Sequence, residues 1–509
     1  RDFCLSRGLG DVYKRQMLYR WMNYQQFVRS KQMRASNRTR LYSQYRQEQV
    51  QEKLSQLGIF SYMDMQYAPR DTTAACDTLD VTMQATFAKP LDAELELNVV
   101  TKSNDQTGPG ASFGVTRNNV FGGGESWNVK LKGSYEWQTG GGEKSSLMNS
   151  WEMGLSTSLT FPRVVFPHLG KREFDFPATT TFRLYINQLN RAKYYKLLSF
   201  GGNATYDFQP SRTSRHSITP FKLTFNVLQH QSEDFKEIAE ANPALYVSLR
   251  NQFIPAMEYT YTYDNASGRR IKNPIWWQST VTSAGNITSL IYRAFGKPFN
   301  EEDKSLLGAP FAQFVKLNTE LRHLWNIDKN NAIASRMAVG ALFTYGNATI
   351  APYSEQFYVG GANSIRAFTV RSVGPGGYHP EEGKYSYLDQ TGTFRFEANV
   401  EYRFRIFKSF WGATFLDAGN VWLLRKDRKL LADGKEARPN SQLRLKTFPK
   451  QIALGTGVGI RYDMDILVFR LDFGIPLHLP YDTDRSGYYN VTGAFFKNLG
   501  IHFAIGYPF

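Results

Sequence analysis

Arg366 stands between Ile365 and the pair Ala367 and Phe368 in "YVGGANSIRAFTVRSVGPGGYHP", residues 358–380, a stretch with two arginines, repeated glycine turn signals and no usable periodicity. A guanidinium is a planar fork that grips a carboxylate through two parallel hydrogen bonds, so an arginine among apolar neighbours points to ion pairing. Residue sets for turnover are harder to find. The seven histidines form no metal-ligand spacing, and Ser61 and Asp64 of "FSYMD" come without a positioned base. No glycine-lysine phosphate loop is present. The expectation is a protein with no catalytic residue, no metal and no cofactor, whose chemical device is a charged loop.

The elements that hold such a loop can be inferred from composition. At 509 residues the chain exceeds the usual single core, so it contains several domains or one large closed sheet. Aromatic residues make up 15%, with 29 Tyr, 37 Phe and 9 Trp. Mean hydropathy is nevertheless −0.43, and no apolar run approaches the length of a helical membrane span, which excludes helical spans. Many aromatics on strands whose alternate residues are polar suit a membrane β-barrel, in which lipid-facing and lumen-facing positions alternate. A soluble all-β protein shares this composition. The net charge of +16 admits nucleic acid, a lipid surface or lipopolysaccharide as an anionic partner. The basic residues are scattered, without a clustered groove, which suits a charged lumen and argues against nucleic acid. Cys4 and Cys76 lie in unlike contexts and support neither a disulfide framework nor a zinc site.

Residues 1–16, "RDFCLSRGLGDVYKRQ", share no pattern with the rest of the chain and read as a foreign or misread segment, so Cys4 carries no argument. The export signal demanded by a membrane barrel is expected upstream of this sequence. In residues 40–58, Leu41, Tyr45, Val50, Leu54 and Leu57 have helical spacing, and Gly58 stands where a C-cap glycine ends a helix. Strand candidates "IFSYMDMQYAP" and "TLDVTMQATF" come next. A helix feeding two strands predicts a small α+β module ending near residue 88.

Beyond it the pattern is strands and turns, with about sixteen candidates of roughly 10 to 15 residues, the length a tilted membrane strand needs. They lie near 92–102, 109–117, 125–137, 150–161, 177–189, 194–209, 215–230 and 251–264. The second half continues near 274–286, 311–326, 331–345, 392–406, 409–423, 450–463, 465–476 and 495–509. An even number lets an up-and-down sheet close with both ends on one side. In "TFRFEANVEYRFRIF", Phe394 to Ile406 alternate as one apolar face, while Arg395, Glu397, Asn399, Glu401, Arg403 and Arg405 form the other. One such strand fits a sandwich or a barrel. The same charge returns at Arg461, Asp463, Arg470 and Asp472 in later strands, and repeated charge on one face favours a wet, charged interior.

Between Tyr345 and Gly392 lie about 45 residues, far more than an ordinary hairpin connection. Phe357, Tyr358, Ile365, Phe368 and Val370 would want burial, and folding the loop of about 346–391 back into the barrel would bury them and bring Arg366 to the inward carboxylates.

"GGANSIRAF" followed by "VGP" resembles the loop motif, written V-R-G-F/Y, of the BamA/TamA superfamily of outer-membrane assembly factors and their two-partner-secretion relatives. "FLDAGNVW" at 415–422 is similar to the family's F-x-D-x-G strand, "GTGVGIRYD" to its G-x-G-x-R strand, and "FRLDFGIPL" to the strand after it. "NNVFGGGE" at 118–125 resembles an early barrel turn. The terminal "HFAIGYPF" ends in the aromatic residue typical of outer-membrane barrels, and residues 17–88 resemble a last POTRA domain, with "LGIF" in its usual place. The sequence departs from the motif at Ala367, where the family usually has glycine, which implies that this position does not need φ > 0.

The resemblance implies an all-β transmembrane barrel of about sixteen antiparallel strands over 89–509, preceded by an α+β POTRA domain over 17–88, partial or terminal, in the periplasm. Ile365, Arg366, Ala367 and Phe368 would form a loop latch, with Asp417 as the first candidate partner of Arg366 and Glu397, Glu401 and Asp472 as alternatives. A barrel that inserts others needs a weak seam where an incoming strand finds unpaired backbone groups. That lateral seam would join "DAELELNVVTK" to the last strand, where Gly506 has no side chain, Pro508 no N–H, and Phe509 ends the chain. The implied function is insertion or translocation of β-barrel or surface proteins in the bacterial outer membrane. Its partners would be unfolded outer-membrane or surface-protein clients, periplasmic or lipoprotein accessory subunits reached through POTRA domains, and outer-membrane lipid, with no nucleic acid. The alternative on the same fold is a dedicated two-partner-type secretion pore, which would carry a plugging helix ahead of its POTRA domains. A passive porin or a barrel hydrolase would explain the alternation but not the α+β module or the "SIRAF" loop.

Overall fold

The computed structural model describes residues 44–55, 59–69, 79–101, 106–138, 150–165, 178–191, 195–233, 236, 251–267, 271–299, 304–306, 308–347, 350–380, 390–425, 436, 438–464, 467–493, 495 and 498–509. Residues 1–43, and with them Cys4 and Leu41, lie outside these, as do Leu57, Gly58 and Cys76.

The chain begins with a small α+β unit. Helix α1 (Gln44–Ser55) leads into β1 (Phe60–Pro69) and β2 (Leu79–Phe87), an antiparallel pair. Leu54, Ile59, Phe60, Met63 and Met83 close its own apolar core, and the amide of Ala88 donates to the carbonyl of Ile59 at 2.8 Å, tying the exit of the unit to its entry.

One antiparallel sheet of sixteen strands comes after it. Its first half comprises β3 (Leu91–Thr101), β4 (Gln106–Asn118), β5 (Ser126–Gln138), β6 (Ser150–Phe161), β7 (Ala178–Arg191), β8 (Tyr195–Ser211), β9 (Ser214–Gln231) and β10 (Gln252–Asp264). Next comes β11 (Ile275–Ala284), then helix α2 (Asn286–Ala294) and the short pair β12 (Ser305–Leu306) and β13 (Ala309–Pro310). The sheet resumes with β14 (Phe314–Asn326), β15 (Asn331–Thr344), β16 (Phe394–Phe407), β17 (Phe410–Trp422), β18 (Ala453–Asp463), β19 (Val468–His478) and β20 (Gly500–Ile505). Each strand pairs with its neighbours in the sheet, in the order of the chain. The sixteen strands fall where the alternation puts them. β20 is the exception in length, with 6 residues where the alternation predicts pairing over 495–509.

Burial runs opposite to that of a soluble protein. Along β16, Val400, Tyr402 and Ile406 are exposed, while Glu397, Asn399, Glu401 and Arg403 are buried. Val458 and Phe503 are 59% and 65% exposed, whereas Arg461 and Asp472 are 0% exposed. An apolar exterior around a charged interior is the arrangement a lipid-embedded barrel requires and a water-embedded sandwich forbids. Aromatic contacts Tyr261 with Trp277, Phe410 with Tyr462, and Phe469 with Phe503 lie along the rim that carries the short turns, on the side of the α+β unit. Such rings form the girdle where lipid meets water. The long connections 285–313, 345–393, 423–452 and 479–499 leave from the opposite rim.

Candidate functional site

Five consecutive strands build one inner wall. The register aligns Glu401 on β16, Phe415 on β17, Gly457 on β18, Gly474 on β19 and Gly500 on β20 in one row. The next row toward the short-turn rim holds Arg403, Ala413, Gly459, Asp472 and His502. These side chains share the lumen face because successive residues of a strand alternate between faces. Gly455, Gly457 and Gly459 recur every second residue, so their bare backbone presents a smooth floor.

The loop between β15 and β16 lies on that floor. A Cβ on Gly474 would meet the carbonyl oxygen of Arg366 at 2.6 Å, and one on Gly455 would meet the Cβ of Ala367 at 2.3 Å. Only glycine lets backbone and wall approach so closely. Ile365, Arg366, Ala367 and Phe368 are all buried, as is Phe357, which bridges to Gly392 and rests against Gly340. Tyr358 departs from the expectation of burial, at 44% exposed. Its ring instead carries the guanidinium of Arg371 at 4.5 Å, so the aromatic face is used without being enclosed.

Asp417 on β17 takes three donors from Arg366. Nε reaches Oδ2 at 2.8 Å, Nη2 reaches Oδ1 at 2.9 Å, and the backbone amide reaches Oδ2 at 3.0 Å. The fork is therefore bidentate, and the main-chain bond fixes the loop as well as the side chain. Nη1 donates to Glu401 and stands 4.0 Å from Asp472. The guanidinium lies 3.5 Å from the ring centroid of Phe415, which fills the face that no oxygen reaches.

Glu397 takes another role than partner of Arg366. It accepts from the hydroxyl of Ser364 at 2.6 Å and from Arg336 of β15 at 3.3 Å, gripping the loop two residues upstream. Asp472 is held chiefly by Arg461 and Arg470, and Arg470 also donates to the carbonyl of Ala362 at 3.0 Å and to the side chain of Asn363. Glu401 is shared by Arg366, Arg403 and Arg461. Four guanidinium groups thus surround Glu401, Asp417 and Asp472, and removing a partner from such a buried set leaves an uncompensated charge.

Two further contacts reach the last strand. Nε2 of His502 on β20 lies 2.7 Å from the carbonyl oxygen of Arg366. Tyr507 and Phe509 come over Arg403, at 4.2 and 5.8 Å from guanidinium carbon to ring centroid. Pro508 and Phe509 are accordingly outside the strand ladder: β20 stops at Ile505, the amide of Gly506 makes a last bond to the carbonyl of Val468 at 2.7 Å, and Gly506 takes φ 87°. The physical reason is local, since positive φ bends the chain, Pro508 has no N–H to continue a ladder, and Arg403 offers the rings a cation. Among the described residues no ladder joins β20 to β3, the strands at the two ends of the sheet.

The sequence does not single out Asn399, Ser364, Arg336, Arg470 and His502 as groups that fix the loop. Strand parity carries the signal for four of them: Arg336, paired across the sheet with Asn399, and Asn399, Arg470 and His502 themselves fall on the same inward phase as Glu401 and Asp472. Among the described residues no group of three His, Cys, Asp or Glu side chains has the arrangement of a metal site. The arrangement fixes a loop in a lumen and links it to a terminal strand.

A family model described as the Omp85 superfamily domain matches residues 119–509. Among solved structures, the chain is similar to BamA from Haemophilus ducreyi lacking POTRA domains 1–3, at 13% identity and a TM-score of 0.55, over 89% of this chain and 76% of that one. It is also similar to CdiB from Acinetobacter baumannii, at 12% identity and a TM-score of 0.47, over 89% and 66% of the respective chains.

Proposed function

Because this chain belongs to the Omp85 superfamily, we propose that it resides in the bacterial outer membrane and inserts or translocates β-barrel or surface proteins there. The observation that carries this reading is the unpaired sheet end coupled to the loop. β3 and β20 share no ladder among the described residues, and β20 is attached to the seated loop through His502 and Arg366. An unpaired strand edge offers N–H and C=O groups that an incoming client strand can pair with irrespective of its side chains. Residues 91–97 of β3 are exposed on both faces, as a receiving edge requires.

In this reading Arg366 is the anchor of the latch, with Asp417 and Glu401 as its wall partners. We take 17–88, of which residues 44–55, 59–69 and 79–88 are described, as a partial or terminal POTRA domain in the periplasm, whose short sheet of β1 and β2 would recruit clients or accessory subunits by strand addition. No reaction intermediate is involved; the energy comes from the client's own pairing and burial in lipid.

The test is depletion of the protein in its native host with quantitation of the outer-membrane proteome. Broad loss of unrelated barrels supports general insertion. Loss of one or a few surface proteins points to a dedicated secretion pore or an accessory factor, and an unchanged proteome removes the assembly role.

A further inference from the structure

Helix α2, on the rim that carries the long connections, is amphipathic in the reverse sense for a water-exposed helix. Its polar side faces the protein. Asn286 donates to the hydroxyl of Ser283 at 2.8 Å and accepts from the hydroxyl of Tyr345 at 2.8 Å. Ser289 is fully buried and accepts from the buried Lys304 ammonium at 3.0 Å, and the hydroxyl of Tyr292 donates to the carbonyl of Ser305. The outward side carries Ile287, Leu290, Ile291 and Phe295, which are 48, 54, 52 and 84% exposed. Their spacing places them on one face of the helix. A contiguous apolar helix face turned away from its protein is not stable against water.

The height of the helix identifies what covers that face. Trp277 belongs to the aromatic girdle at the short-turn rim, and the chain climbs β11 from there to Gly285, where φ 69° turns it into α2. Eight residues at 3.3 Å each, inclined at 35–45°, rise about 20 Å, whereas the lipid-facing band of a barrel is about 25 Å tall. The helix therefore leaves the wall at the far lipid boundary, not in open water above it. Its apolar side continues the lipid-facing surface of Val281 on β11, Leu317 on β14 and Phe343 on β15, all exposed. Arg293 in its last turn and Lys297 just beyond it are exposed at the same level, the position from which cations meet lipid phosphates.

We propose that α2 is an interfacial anchor that lays Ile287, Leu290, Ile291 and Phe295 into the acyl region of the outer leaflet, with Arg293 and Lys297 at its anionic headgroups. The inference needs the barrel to span a membrane and is independent of the assembly role. It is tested on the full chain, with Cys4→Ser and Cys76→Ser, reconstituted in vesicles of phosphatidylcholine and phosphatidylglycerol. Nitroxide labels are attached in turn to Leu290→Cys, Ile291→Cys and, as an exposed loop control, Leu445→Cys. The ratio of collision with oxygen to collision with a water-soluble nickel chelate is then measured. The expected ratio is several-fold higher at 290 and 291 than at 445. Equal ratios at all three sites would place the helix in water, and protection of 290 and 291 from both reagents would mean that protein covers it; either result overturns the proposal.

Discussion

His502 on the last strand donates from Nε2 to the carbonyl oxygen of Arg366, 136 residues earlier in the chain, over 2.7 Å. Beyond its six paired residues, β20 is thus restrained by a group that belongs to the loop. Replacing His502 with Ala removes one buried hydrogen bond, about 0.5–1.5 kcal/mol. Amide exchange in residues 500–505 should accelerate by up to about tenfold while β15 keeps its rate. Unchanged exchange in β20 would show that the contact does not restrain the strand.

Arg366→Ala removes both side-chain donors of Arg366 to Asp417 and one of the three guanidinium partners of Glu401, and loss of one member of a buried ionic set costs about 3–5 kcal/mol. Arg371, in the same loop, stacks on the rings of Tyr353 and Tyr358 and is only partly buried, so Arg371→Ala should cost about 0.5–1 kcal/mol. Heat-dependent migration of the folded barrel on gels reads the difference. Assembly activity should fall in the same order, and equal effects would remove the anchoring role of Arg366.

Gly474→Ala drives a methyl group to 2.6 Å from the carbonyl oxygen of Arg366, a main-chain atom that cannot rotate aside. Overpacking of this kind costs about 1–3 kcal/mol. Gly133→Ala, on β5, meets nothing within 4 Å and should leave the melting temperature unchanged. If both variants melt alike, the loop does not rest on the wall at Gly474.

Arg403→Lys keeps a cation near Glu401 but loses the planar surface on which Tyr507 and Phe509 lie. The C-terminus should then become a substrate for carboxypeptidase, with Phe509 released faster than from the parent chain. Identical release would mean that Arg403 does not hold the terminus.

The strands were legible because a lipid-facing wall obeys a period of two over ten or more residues, and β16 displays that period without a break from Phe394 to Ile406. The early end of β20 was legible in part: Gly506, without a side chain, and Pro508, without an N–H, mark where pairing shortens, whereas the turn of the rings onto Arg403 was not. Within the loop, Arg366 was conspicuous by type and neighbours, but its three partners could not be ranked from spacing, since Glu401, Asp417 and Asp472 lie on three strands whose relative stagger depends on register. Glu397 shares the inward face with Glu401 and meets Ser364 instead, a distinction of two inward positions along the strand that periodicity does not encode. The glycines of "GTGVGIRYD" were visible as a motif. Their purpose as clearance for a loop emerges only with that loop in place.

All the wall groups that hold Arg366 come after it in the chain: Glu401, Asp417, Asp472 and His502. The segment therefore has no dock when it emerges, and its guanidinium stays hydrated until strands β16 to β20 have been added. Contacts of such long sequence separation form late because the intervening chain must be ordered first. A barrel stalled with its last strands missing would have to keep Arg366 in water or bury it unpaired. Seating of the loop is therefore among the last events in this chain's own folding, and a seated Arg366 reports that strands β16 to β20 are in place.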